Sequence, residues 1–220
     1  VTVRQAGGNL GPVITDVTQE PPVPGAGEPV IVRAKVSDPD GIGSVQLRYA
    51  LNNPAASPAS VAMTLVEDNT YQGTIPAQTL GTKVVYFITA TDGGGRPGRY
   101  PVDITLRTHP LLLNPPAATL NDHRYLIYRH DTRLPSTYYQ NYRFVMTDTS
   151  ETTIDQRARL SNDLVDGSFV FGGSTIYYES GMPFTGSPWA RAKWGSARVV
   201  PPRDQPLHGR LRRIHLEEHH

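Results

Sequence analysis

A chain of 220 residues with 20 glycines and 20 prolines has room for one or two domains and favours short strands and turns over long helices. Its 21 basic and 20 acidic residues leave a net charge of +1, which excludes a general attraction to nucleic acid or anionic membrane. With no cysteine there is no disulfide, thiolate metal site or cysteine nucleophile, and no apolar run approaches the roughly 20 residues of a spanning helix.

In chain order, residues 1–11 are polar and carry glycine, and read as an arm or linker. Residues 12–107 hold evenly spaced strand candidates: Val13–Val17, Val30–Val36, Ser44–Leu51, Val61–Val66, Tyr71–Ile75, Lys83–Thr91 and Tyr100–Leu106. Val30, Val32, Ala34 and Val36 alternate with Ile31, Arg33 and Lys35, and Val45, Leu47 and Tyr49 alternate with Gln46 and Arg48. Period-two alternation puts one face on a core and one in water. It predicts an interior of Val32, Ala34, Val36, Val45, Leu47, Tyr49, Tyr86, Ile88 and Ala90. Turn signals separate the runs at Pro24-Gly25, Asp38-Pro39-Asp40-Gly41, Asp68-Asn69 and Gly93-Gly94-Gly95. Short strands at this spacing predict a β-sandwich, Ig-like or fibronectin-III-like, without the Cys…Trp…Cys core of antibody domains.

Residues 108–120 contain Pro110, Pro115 and Pro116 around three leucines and read as a linker. Residues 121–220 read as a second, α+β domain. Its strand candidates are Tyr125–Tyr128, Tyr142–Met146, Met182–Thr185, Arg198–Val200 and Leu211–Leu216. Asp148 followed by Glu151 has capping-box spacing, with a helix expected over Ser150–Leu160. Phe169-Val170-Phe171 and Thr175-Ile176-Tyr177-Tyr178 flank Gly172-Gly173, the signal for a tight hairpin whose central residues take positive φ.

Two metal motifs invite different readings. If the Asp38–Gly41 and Thr91–Gly93 turns meet at one pole, Asp38, Asp40 and Asp92 offer hard oxygen ligands for Ca²⁺. The ordinary alternative is turn chemistry, since Asp, Pro and Gly favour turns for local reasons. His215-Leu216-Glu217-Glu218-His219 matches H-x-x-E-H, a zinc-protease pattern that needs a helix. Arg210–Ile214 reads as a strand instead, so this tail is taken as a strand end and a solvated extension. Trp189 and Trp194 are core anchors or a stacking platform, and Arg203, Arg210, Arg212 and Arg213 a solvated basic face.

The order Arg159-Leu160-Ser161-Asn162, Phe169-Val170-Phe171-Gly172, Gly186-Ser187-Pro188-Trp189 resembles secreted members of the spore-coat-protein-H (CotH) kinase family, over roughly residues 142–216. Ser37–Tyr49, Tyr71–Pro76 and Val84–Gly95 look like the Ig-like modules of bacterial surface proteins. The resemblance implies a bacterial parent, secreted or on the cell surface, that uses ATP and Mg²⁺ to phosphorylate extracellular or coat proteins. It makes Gly186, Ser187, Arg191, Lys193 and Arg198 the candidate phosphate-binding residues. Pro183 stands where the family's Gly-x-Arg-x-x-Gly-Ser pattern has arginine, which argues against nucleotide binding by this copy. The catalytic and metal-binding carboxylates are expected in a second lobe beyond His220. The chain starts at Val1 without an initiator Met, so it reads as a processed chain or a fragment, inactive alone because positioning and metal groups must both be present. The reading from a different class is a structural or adhesive module of an extracellular assembly, with self-association.

Overall fold

The computed structural model describes residues 10–102, 125–133, 142–156 (backbone only for 153–156), 165–182 and 199. The fold is mainly β and its strand pairs are antiparallel. One sheet has the order β1-β2-β6-β5, from Val13–Glu20, Val30–Ser37, Thr70–Ile75 and Thr64–Glu67. The second has the order β4-β3-β7-β8, from Ala59–Ala62, Ile42–Leu51, Lys83–Asp92 and Pro97–Tyr100.

The inward residues of both sheets form one core. Val30, Val32, Ala34, Val36, Leu47, Ile75, Val84, Tyr86 and Ile88 are all fully buried in it. Of the expected interior, Val45 and Ala90 are buried as well, and Tyr49 is half-buried against the same core. Alternation in β2 puts its valines inside and leaves Lys35 to pair with Asp16 at 2.8 Å on the surface. β7 does not alternate, because both its faces are covered. Val84, Tyr86 and Ile88 face the other sheet, while Val85 packs with Ala50, Ile127 and Val145 behind it.

The run Val61–Val66, expected as one strand, is two. β4 pairs with β3, β5 pairs with β6, and the chain changes sheets at buried Met63, whose N–H donates to the Val45 carbonyl at 2.9 Å. Periodicity records which residues face inward, but not which sheet they join. The strand expected at Tyr100–Leu106 is misplaced where it is described: β8 runs Pro97–Tyr100, so only Tyr100 is shared, and Pro101 and Val102 are not in a strand.

β9 (Leu126–Arg129), close to the expected Tyr125–Tyr128, pairs with β7 in the register Val85↔Ile127. It thus shares an edge of β7 with β8, which pairs further along at Ile88↔Tyr100. Leu126 and Tyr128 enter the two-sheet core although they follow the proline-rich segment. Burying a leucine of this kind is worth roughly 1.5–3 kcal/mol. The segment after β9 is stitched to the loop before β2. Asp131 N–H donates to the Pro24 carbonyl at 2.9 Å, His130 Nδ1 to the Gly25 carbonyl at 2.9 Å, and Arg133 Nε to the Val23 carbonyl at 3.0 Å. The Gly25 N–H and the Arg133 guanidinium both bond the Glu28 carboxylate and hold its pKa below the usual carboxylate value.

A third sheet, β10-β11-β12, comprises Tyr142–Val145, Val165–Phe171 and Thr175–Met182. Its hairpin turns at Gly172 and Gly173, with φ of 59° and 70°, and the Ser174 N–H donates to the Phe171 carbonyl at 3.2 Å. Only glycine takes two consecutive left-handed positions without strain. Helix α1 (Asp148–Gln156) starts earlier than expected, and its cap is Thr147, not Asp148. Thr147 Oγ1 accepts the Ser150 N–H at 3.1 Å. Thr and Asp are both good caps, and here the carboxylates have another partner: Lys83 of β7 bonds Asp148 at 2.7 Å and Glu151 at 2.6 Å. Burial pulls the Lys83 pKa down, but the two carboxylates outweigh it and the net direction is up.

Tyr178 of β12 completes the joint. Its hydroxyl receives a hydrogen bond from Tyr86 Oη at 2.6 Å and donates to Gln19 Oε1 at 2.5 Å, all three side chains being buried. Burial holds both tyrosines far above the ordinary phenol pKa, Tyr178 with the further push of Tyr86 beside it. The expected strands at Met182–Thr185, Arg198–Val200 and Leu211–Leu216 fall mostly outside the described residues. Met182 ends β12, and Val199 is buried beside Phe169 and Tyr177.

Candidate functional site

The residues that converge most tightly are Asp38, Asp40 and Asp92. β2 ends at Ser37, and the chain turns through Asp38–Gly41 into β3; β7 ends at Asp92. Because β3 and β7 pair from Ile42↔Asp92 onward, the two turns lie side by side. Asp38 Oδ1 accepts the Asp40 N–H at 2.8 Å, and the Asp38 carbonyl accepts the Gly41 N–H at 3.2 Å. Gly41 closes that turn with a φ of 80°. Asp92 Oδ1 accepts the Arg96 N–H at 2.7 Å and orders the second turn. The Gly93 N–H donates across to the Gly41 carbonyl at 3.2 Å, tying one turn to the other. A Cβ at 93 would lie 3.0 Å from the Asp40 carbonyl oxygen, so a side chain there would require the Asp38–Gly41 turn to give by a few tenths of an ångström.

One carboxylate oxygen from each aspartate lies within 4.8 Å of the other two. Asp92 is buried, Asp38 half-buried and Asp40 exposed. Unit charges at that spacing repel by about 1 kcal/mol per pair in water and by several at the effective dielectric of a protein surface. A divalent cation between them would attract all three carboxylates and outweigh that repulsion. The donors are all hard oxygens, which suits Ca²⁺, an ion that takes six to eight such ligands at flexible geometry, better than zinc. Three carboxylates supply part of that shell, and backbone carbonyls and water would have to supply the rest. Among the described residues this is the one group of three acidic or histidine side chains with metal-ligand spacing.

The sequence offered this convergence only as a condition, since each aspartate sits in a turn at a strand end, and the pairing of β3 with β7 meets it. The other expected site residues are not described. Gly186, Ser187, Arg191, Lys193 and Arg198 lie outside the described residues. So do Trp189, Trp194, the arginines from 203 to 213 and the His215–His219 motif.

Sequence reasoning missed a second feature, on the face of the β4-β3-β7-β8 sheet away from the core. The Arg99 guanidinium lies 3.8 Å from the centre of the Phe87 ring, and Tyr125 stands edge-on to Phe87 at 5.9 Å. With the Pro54–Pro58 loop they line a cleft of about 350 Å³. Phe87 is the signal that could have found it, as an aromatic on the face of β7 that alternation assigns to solvent.

Comparison with protein-family models finds no match for this chain, and comparison with curated proteins finds none either.

Proposed function

We propose that the chain is the sandwich and first lobe of a secreted or surface-attached bacterial kinase resembling the CotH family, with no catalytic activity of its own. The two-sheet unit is read as an Ig-like or fibronectin-III-like sandwich serving as spacer or interaction module. The observation that carries the kinase reading is the element order in 142–182. A strand, a nine-residue helix and a hairpin closed on Gly172-Gly173 follow one another, which is the order the resemblance implies. ATP and Mg²⁺ belong to the parent enzyme in this reading, and no step of phosphoryl transfer is assigned to residues of this chain. In-line transfer needs carboxylates on Mg²⁺ and a group to orient the acceptor hydroxyl. The one described carboxylate triad belongs to the turns of the two-sheet unit, not to the hairpin.

The test pairs calorimetric titration of ATP and Mg²⁺ with a radiolabelled phosphotransfer assay. Both are run on residues 1–220 and on the longer parent that this reading proposes. Silence in the short chain with transfer by the longer one is the expected result. Micromolar nucleotide binding or label transfer by the short chain refutes inactivity, and silence in both refutes the kinase reading.

The second reading, a structural or adhesive module of an extracellular assembly, is favoured by the joint. Tyr178, Leu126 and Tyr128 share the core of the two-sheet unit, the rigid coupling expected of a load-bearing module. Self-association at micromolar concentration, measured by sedimentation, would support this reading over the first.

A further inference from the structure

We draw no further inference here: the strongest candidate, the cleft of about 350 Å³ between the Pro54–Pro58 loop and the Arg99–Phe87 stack, has an arginine already engaged by Phe87 and the Pro101 carbonyl, and nothing in the structure shows what covers it.

Discussion

The two-sheet unit and the three-stranded unit bury their strands differently. In β2 the inward residues are all aliphatic, and the outward ones are half-buried or exposed. In β11 every residue from Val165 to Val170 is buried, Asp166 and Ser168 included. The first pattern is that of a strand with one wet face; the second is that of a strand enclosed on both. Enclosing Asp166 and Ser168 carries a desolvation cost that an aliphatic strand avoids. The smaller unit also reaches into its neighbour, because Tyr178 belongs to the core of the larger one. The larger unit in turn takes β9 from downstream of the proline-rich segment. Neither core closes from its own stretch of sequence.

The sharpest way to break this comparison is Tyr178→Ala. It opens a cavity in the shared core and leaves Gln19 Oε1 and Tyr86 Oη without their partner. We expect a loss of about 3–5 kcal/mol in urea unfolding of the full chain, in one transition that carries both units. Unchanged unfolding of the two-sheet unit would show that the cores are independent.

Alkaline pH attacks the same joint. Tyr86 and Tyr178 have folded pKa values raised above the unfolded value, so their contribution is fully present below pH about 10 and lost as pH rises beyond it. Each tyrosine then costs up to about 1.4 kcal/mol per pH unit above 10. Lys83, also raised, adds in the same direction. Tyr178→Phe should flatten the fall in stability between pH 10 and 11.5, and an unchanged slope would remove Tyr178 as a cause of it.

Gly167→Ala probes the smaller unit by itself. A Cβ at 167 would lie 2.5 Å from both the Val145 carbonyl oxygen and Phe144 Cε1, so β10 must move. About 1–3 kcal/mol of destabilisation is expected, with the near-ultraviolet signal of Tyr142 and Phe169 altered. A neutral outcome would mean that the sheet yields without cost.

Calcium tests the larger unit at its carboxylate pole. At extracellular-type affinity, 10 mM calcium should stabilise the full chain by about 1.5–2.5 kcal/mol, read as a rise in Tm. Asp40→Ala should abolish the rise without unfolding the protein, since Asp40 is exposed. The absence of any shift in the parent chain would leave the three aspartates as turn residues only.

Most strand positions, the inward faces and the glycine-pair hairpin were written locally. Valine alternation in β2 and the glycine pair at 172–173 act through neighbours a few residues away, so a reader of the chain can recover them. The cap at Thr147 was misplaced by one residue, because Thr147 and Asp148 are both competent caps and only the position of Lys83 engages Asp148 elsewhere. The sheet change at Met63 was invisible for a related reason: alternation specifies a face, not a partner strand. The aspartate cluster was legible only as a condition, and the pairing of β3 with β7 fulfilled it. The sequence alone therefore determined the β class, the inward faces of the larger unit's own strands and the hairpin. Tertiary structure decided that β9 completes the larger unit and that Tyr178 joins Tyr86 and Gln19. Those contacts span 92 and 159 residues, and their stability comes from burial of non-adjacent surfaces that no local pattern encodes.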